Sequence, residues 1–147
     1  MIESISKNLF IKISALLENS QKQVLNLVNQ TMVLTYFEIG RMLVEEQQNG
    51  KERANYGKAL ISDISKRLTQ NFGKGFSETN LKQMRQFYLI YSKSQTLSDE
   101  FKLSWSHYLK LMRIEDDNER KFYEIESVKN NWSLRELQRQ YDSALYI

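Results

Sequence analysis

Proline and cysteine are both absent from these 147 residues, and glycine occurs only five times. Without proline, nothing in the chain removes a helical N–H or clashes with the preceding turn, and few positions offer the left-handed backbone that ends a helix. Without cysteine there can be no disulfide framework and no thiolate metal site, a pattern that fits a cytoplasmic setting. A single histidine, His107, rules out paired-imidazole metal ligation. No apolar run reaches the roughly 18 residues of a membrane span. The first residues, Met1 to Lys7, lack the charged and then apolar regions of a signal peptide. Hydroxyls are the remaining nucleophiles, and none has an evident activating partner. The expectation is a chain with no catalytic residues, no cofactor, no metal and no small-molecule substrate.

What is present is charge with an uneven distribution. Residues 51–93 carry nine basic and three acidic side chains, while the segments before and after are slightly acidic, and the whole sums to +3. A local positive excess is a footprint that a polyanion such as DNA can use, although an ordinary solvated face has the same composition.

Apolar spacing near 3.6 residues runs through most of the sequence and predicts an all-α domain of six or seven helices spanning residues 1–147. A long first helix, continuing or kinking near Asn19-Ser20, would bury Ile5, Leu9, Ile13, Leu16 and Leu17, then Val24, Leu27, Val28, Met32, Leu34, Phe37 and Leu43, and end at Asn49-Gly50. Gly40 inside it marks a close approach to a neighbouring helix. A second helix, from about Asn55 to Asn71, places Leu60, Ile61, Ile64 and Leu68 on its buried stripe. The turn Phe72–Phe76 follows. Ser77 is then the N-cap of a helix burying Leu81, Met84, Phe87, Tyr88 and Tyr91, with Phe76 and Leu81 forming a hydrophobic staple.

Beyond polar residues 92–99, Ser104 caps a short helix containing Trp105, Tyr108, Leu109 and Met112. Asp116 with Glu119 and Ser133 with Glu136 read as capping boxes, the latter with Trp132 and Leu137 in the staple positions. The helices they open would bury Phe122, Tyr123, Ile125 and Val128, then Leu134, Leu137, Tyr141 and Leu145. A short strand pair within residues 95–103 would add a small wing.

Two carboxylate-x-lysine fragments, Glu100-Phe101-Lys102 and Glu119-Arg120-Lys121, have the spacing that metal-dependent nucleases use. On a helix, residues i and i+2 diverge by about 200°, so neither fragment can converge on a metal. The Gly73-Lys74-Gly75 turn suits an anion but lacks the Gly-Lys-Ser/Thr ending and preceding strand of a nucleotide cradle.

Helix, short turn, helix is also the geometry that lets a second helix enter a major groove. The pair around Phe72–Phe76 would present Thr79, Lys82, Gln83 and Gln86 opposite its buried stripe, with Lys74, Lys82 and Arg85 as phosphate contacts and Gln83 and Gln86 as base-edge contacts. Arg85 also has a structural reading beside Met84. A reserve pair around Asn130–Ser133 would present Arg135, Gln138 and Arg139, but lies in the acidic third. The competing expectation is a protein-interaction or oligomerisation module, including a homodimer through the first helix.

The ordered strings Tyr36-Phe37-Glu38-Ile39-Gly40-Arg41, Tyr56-Gly57, Gly75-Phe76-Ser77, Asn80-Leu81, Met84-Arg85-Gln86-Phe87-Tyr88, Leu103-Ser104-Trp105-Ser106-His107-Tyr108, Arg120-Lys121-Phe122-Tyr123 and Trp132 to Gln140 resemble the N-terminal helical domain of the YhcG-like family in the PDDEXK nuclease superfamily. The resemblance runs from about residue 20 to the end and is weaker in the first twenty residues. It implies a DNA-binding-like helical module ahead of a separate nuclease domain that holds the Asp and Glu-x-Lys metal site. It therefore implies a targeting part, with the cutting chemistry downstream of Ile147, and it lends neither Glu-x-Lys fragment support.

Overall fold

The computed structural model describes residues 1–49, 54–93 and 101–146. Among them are six helices and no strand: α1 Ile2–Asn49, α2 Ala54–Phe72, α3 Glu78–Tyr91, α4 Trp105–Leu111, α5 Asp117–Lys129 and α6 Leu134–Asp142. The expected wing is not seen in residues 101–103, and its remainder, like Gly50 and Glu100, lies outside the described residues.

Four helix starts follow directly from local chemistry. Ser77, Ser104, Asp116 and Ser133 each sit in extended backbone and accept a hydrogen bond from the N–H three residues on. Each satisfies one of the donors that a helix N-terminus leaves unpaired. The Ser133 cap does not close into a reciprocal box of the expected kind. The Glu136 carboxylate turns outward to the Arg139 guanidinium at 2.6 Å.

Two adjoining apolar clusters make the core. In one, Val33 of α1 meets Phe87 and Tyr91 of α3, Tyr108 of α4, Tyr123 of α5 and Leu137 of α6. In the other, Leu43 of α1 and Ile61 of α2 enclose Leu81 and Met84 of α3. Trp105 packs against both, with its ring 5.0 Å from those of Tyr36 and Phe87. The most extensive helix pairing among the described residues is α1 with α3. It is made possible at Gly40, where a Cβ would sit on the Met84 carbonyl oxygen.

The long first helix takes the continuous alternative of the sequence expectation and departs from it in what it buries. It runs through Asn19-Ser20 without a break, since both residues are tolerated inside a helix and neither proline nor glycine lies near them. The domain packs on it mainly from Val33 onward. Ile5, Leu9, Ile13, Leu16, Leu17, Val24, Leu27, Val28, Met32 and Leu34 are all exposed rather than buried. The same correction applies at the other end of the chain to Ile125, Val128, Leu134, Tyr141 and Leu145. In each case the periodicity identifies an apolar face that no element among the described residues covers fully.

Candidate nucleic-acid interface

The α2–α3 junction is built to hold α3 at a set angle. Gly73 and Gly75 adopt φ of 82° and 110°, a region that costs glycine nothing and any other side chain strain. Ser65, buried on α2, donates its hydroxyl to the Phe76 carbonyl at 2.7 Å. Asn80 on α3 donates its side-chain amide back to the Gly75 carbonyl at 3.2 Å while its backbone N–H is capped by Ser77. Phe76 and Leu81 both join the second core cluster, as the staple requires. The turn is thus tied to the helices on both sides.

On α3, Leu81, Met84, Phe87 and Tyr91 face the core. At 100° per residue the opposite face carries Thr79, Lys82, Gln83 and Gln86. Thr79, Lys82 and Gln86 are exposed, and Gln83 is half-buried. Lys74 stands exposed in the turn. Arg85 is half-buried at the edge of the core stripe, between the two faces. Lys58, Lys66 and Lys93 are exposed on the flanks, whereas Arg67 is engaged by Asp63 at 2.8 Å. Lys51 and Arg53 lie outside the described residues.

The reserve cluster on α6 is electrostatically different. Arg135 is exposed, but Arg139 is paired with Glu136, which is held below the usual carboxylate range chiefly by its hydrogen bond from Arg139. Gln138 donates to Asp142. Two of its three residues are thus occupied by acidic neighbours on their own helix.

Three features go beyond what the sequence specified. Arg120, the middle of a Glu-x-Lys fragment, is buried and donates to the Ile114 carbonyl from Nε at 3.0 Å and Nη2 at 2.6 Å, and to the Glu115 carbonyl at 3.1 Å. Asp117 completes its partners at 2.7 Å. This is a clamp on the α4–α5 connection. His107 spans Ser104 Oγ through Nδ1 at 2.6 Å and the Trp132 carbonyl through Nε2 at 2.9 Å, so that Nε2 carries the proton. It bolts the start of α4 to the α5–α6 turn. The third is a cleft of about 780 Å³ bounded by Leu27, Leu34 and Phe37 of α1, Tyr91 of α3, and Glu124 and Ile125 of α5. The phenols of Tyr91 and Tyr108 are pushed well above their ordinary range, chiefly by burial. Both stay neutral, and the Tyr91 hydroxyl has no hydrogen-bond partner among the described residues. Among the described residues, no three metal-ligating side chains converge, and no helix is long and apolar enough to cross a membrane.

Residues 12–147 match the model of the DUF1016 N-terminal domain. The chain belongs to that family. It is also 34% identical over 161 aligned positions to the protein named "Putative nuclease YhcG" from Escherichia coli (strain K12), covering 89% of this chain and 43% of that protein. A DUF1016 N-terminal domain therefore accounts for nearly all of this sequence, and the chain spans less than half the length of that relative. No solved structure matches. Several of the strings that carried the resemblance now have a structural explanation: Gly40 is a helix contact, Trp105 and Tyr108 are core, and His107 and Arg120 are fasteners. Within Met84–Tyr88, Met84 and Phe87 are buried, leaving Gln86 exposed and Arg85 at the margin.

Proposed function

We propose that this DUF1016 N-terminal domain is the noncatalytic DNA-targeting part of a YhcG-like nuclease, with α2 and α3 acting as a helix-turn-helix. The observation that carries this reading is the face of α3 bearing Thr79, Lys82, Gln83 and Gln86, turned away from the core directly after a tied four-residue turn. Lysine and glutamine on the outward face of such a helix can reach phosphates and base edges respectively. The positive excess belongs to residues 51–93, the segment that contains α2, the turn and α3, and Lys74, Lys82 and Arg85 are assigned to phosphates. Arg135, Gln138 and Arg139 are the weaker candidate because their helix supplies its own acidic partners. Catalysis belongs, in this reading, to a nuclease domain elsewhere in the longer protein.

The test is the salt dependence of binding to a mixed-sequence duplex. Each phosphate contact contributes about one unit to the slope of log affinity against log salt, so Lys82→Ala should lower the slope by roughly one and Arg135→Ala should leave it unchanged. Gln86→Ala should reduce discrimination among sequences while preserving the slope. Absence of duplex binding at low salt would overturn the proposal.

A further inference from the structure

Helix α1 carries two separate apolar seams. Val33, Phe37, Gly40 and Val44 face the domain's own core or its helix contact. Ile2, Ile5, Leu9, Ile13, Leu16, Val24 and Leu27 form the other, which is between 47% and 80% exposed. At 100° per residue the second seam is centred about 120° around the helix from the first. It is therefore no extension of the core stripe and needs a different partner.

Its spacing is regular. Ile2, Ile13 and Val24 recur every eleven residues, as do Ile5, Leu16 and Leu27. An eleven-residue repeat keeps a seam nearly straight along paired helices, with a slight right-handed supercoil. We propose that residues 2–28 of α1 pair antiparallel with the same segment of a second copy of this chain.

Three observations favour a second copy over a foreign helix. First, the seam is self-complementary about a midpoint between Ser14 and Ala15. Antiparallel pairing sets Ile2 opposite the partner's Leu27, Ile5 opposite the partner's Val24, Leu9 opposite the partner's Ser20 and Ile13 opposite the partner's Leu16. The layers then repeat in reverse through the two-fold axis, giving an isologous interface. Second, the seven large apolar side chains of the seam are each about half or more exposed, an apolar area of the order of the ~800 Å² that each partner contributes to a standard stable interface. Third, the charged side chains of the stem, Glu3, Lys7, Lys12, Glu18 and Lys22, nearly cancel, and Lys7 and Lys22, which fall level in this register, both lie on the side of the helix away from the seam. The paired length also ends where the domain begins. The partner's Ile2 reaches Leu27, at the edge of the cleft against α5, and stops short of Val33.

Sedimentation of the whole chain, together with engineered cross-links, tests this. The unmodified chain should sediment as a dimer at high concentration. Ile13→Asp with Leu16→Asp should weaken the dimer by more than about tenfold and leave the near-ultraviolet dichroism of the aromatic core unchanged. Because the chain has no cysteine, reporter thiols can be placed cleanly. Leu9→Cys combined with Ser20→Cys should yield a covalent dimer on oxidation. Ser20→Cys alone should not, because the two thiols would stand about 17 Å apart along the seam. A monomeric unmodified chain overturns the proposal, as does a dimer indifferent to the aspartates. A Ser20→Cys homodisulfide overturns the antiparallel register.

Discussion

The two halves of α1 have similar apolar content and the same helical geometry, yet one is anchored and the other is bare. From Val33 to Val44 the helix is held by α3 at a contact so close that only glycine fits at residue 40. From Ile2 to Val28 every large apolar side chain is exposed. The difference lies in what surrounds each half. Helix formation by itself therefore says little about what a helix buries, and the anchored half should respond to substitution while the bare half does not.

The sharpest contrast is expected at Gly40. Gly40→Val places side-chain atoms on the Met84 backbone, which cannot yield as a flexible side chain would, so a loss of about 3 kcal/mol or more is expected in urea unfolding. Unchanged stability would mean that α1 and α3 do not meet there. Next is Arg120→Ala, which strands the buried Ile114 carbonyl and should cost about 2 kcal/mol; preserved stability would show that the clamp is dispensable. Ser77→Ala removes the cap that starts α3 and should cost about 1 kcal/mol by the same measurement. The smallest effect belongs to the bare half. Leu16→Ala should change the unfolding free energy of the dissociated chain by less than about 0.5 kcal/mol, and a core-sized loss would erase the distinction between the halves.

These expectations also show which parts of the molecule were legible in the sequence. The caps at Ser77, Ser104, Asp116 and Ser133 were readable because donor and acceptor lie three residues apart. The outward set on α3 was readable as the complement of Leu81, Met84 and Phe87. The exposed stem was not, because a hydrophobic stripe records that something covers a face without recording what. The role of Arg120 and the partners of His107 were missed for another reason. Their decisive acceptors are backbone carbonyls of Ile114 and Trp132, and a carbonyl has no residue identity to read. The Glu136 carboxylate was legible as a partner but assigned to the wrong donor, since Arg139 competes for it one turn further along.

Gly40 gives the anchored half a further property. Because α3 rests on the backbone of α1 there, with no compliant side chain between them, the rest of α1 is a rigid arm mounted on the helix that carries Lys82 and Gln86. From Gly40 to Ile2 that arm measures about 57 Å, so a tilt of about 5° at the mount carries its far end through about 5 Å. A small change in how α3 seats would be read out, magnified, at the opposite end of the molecule.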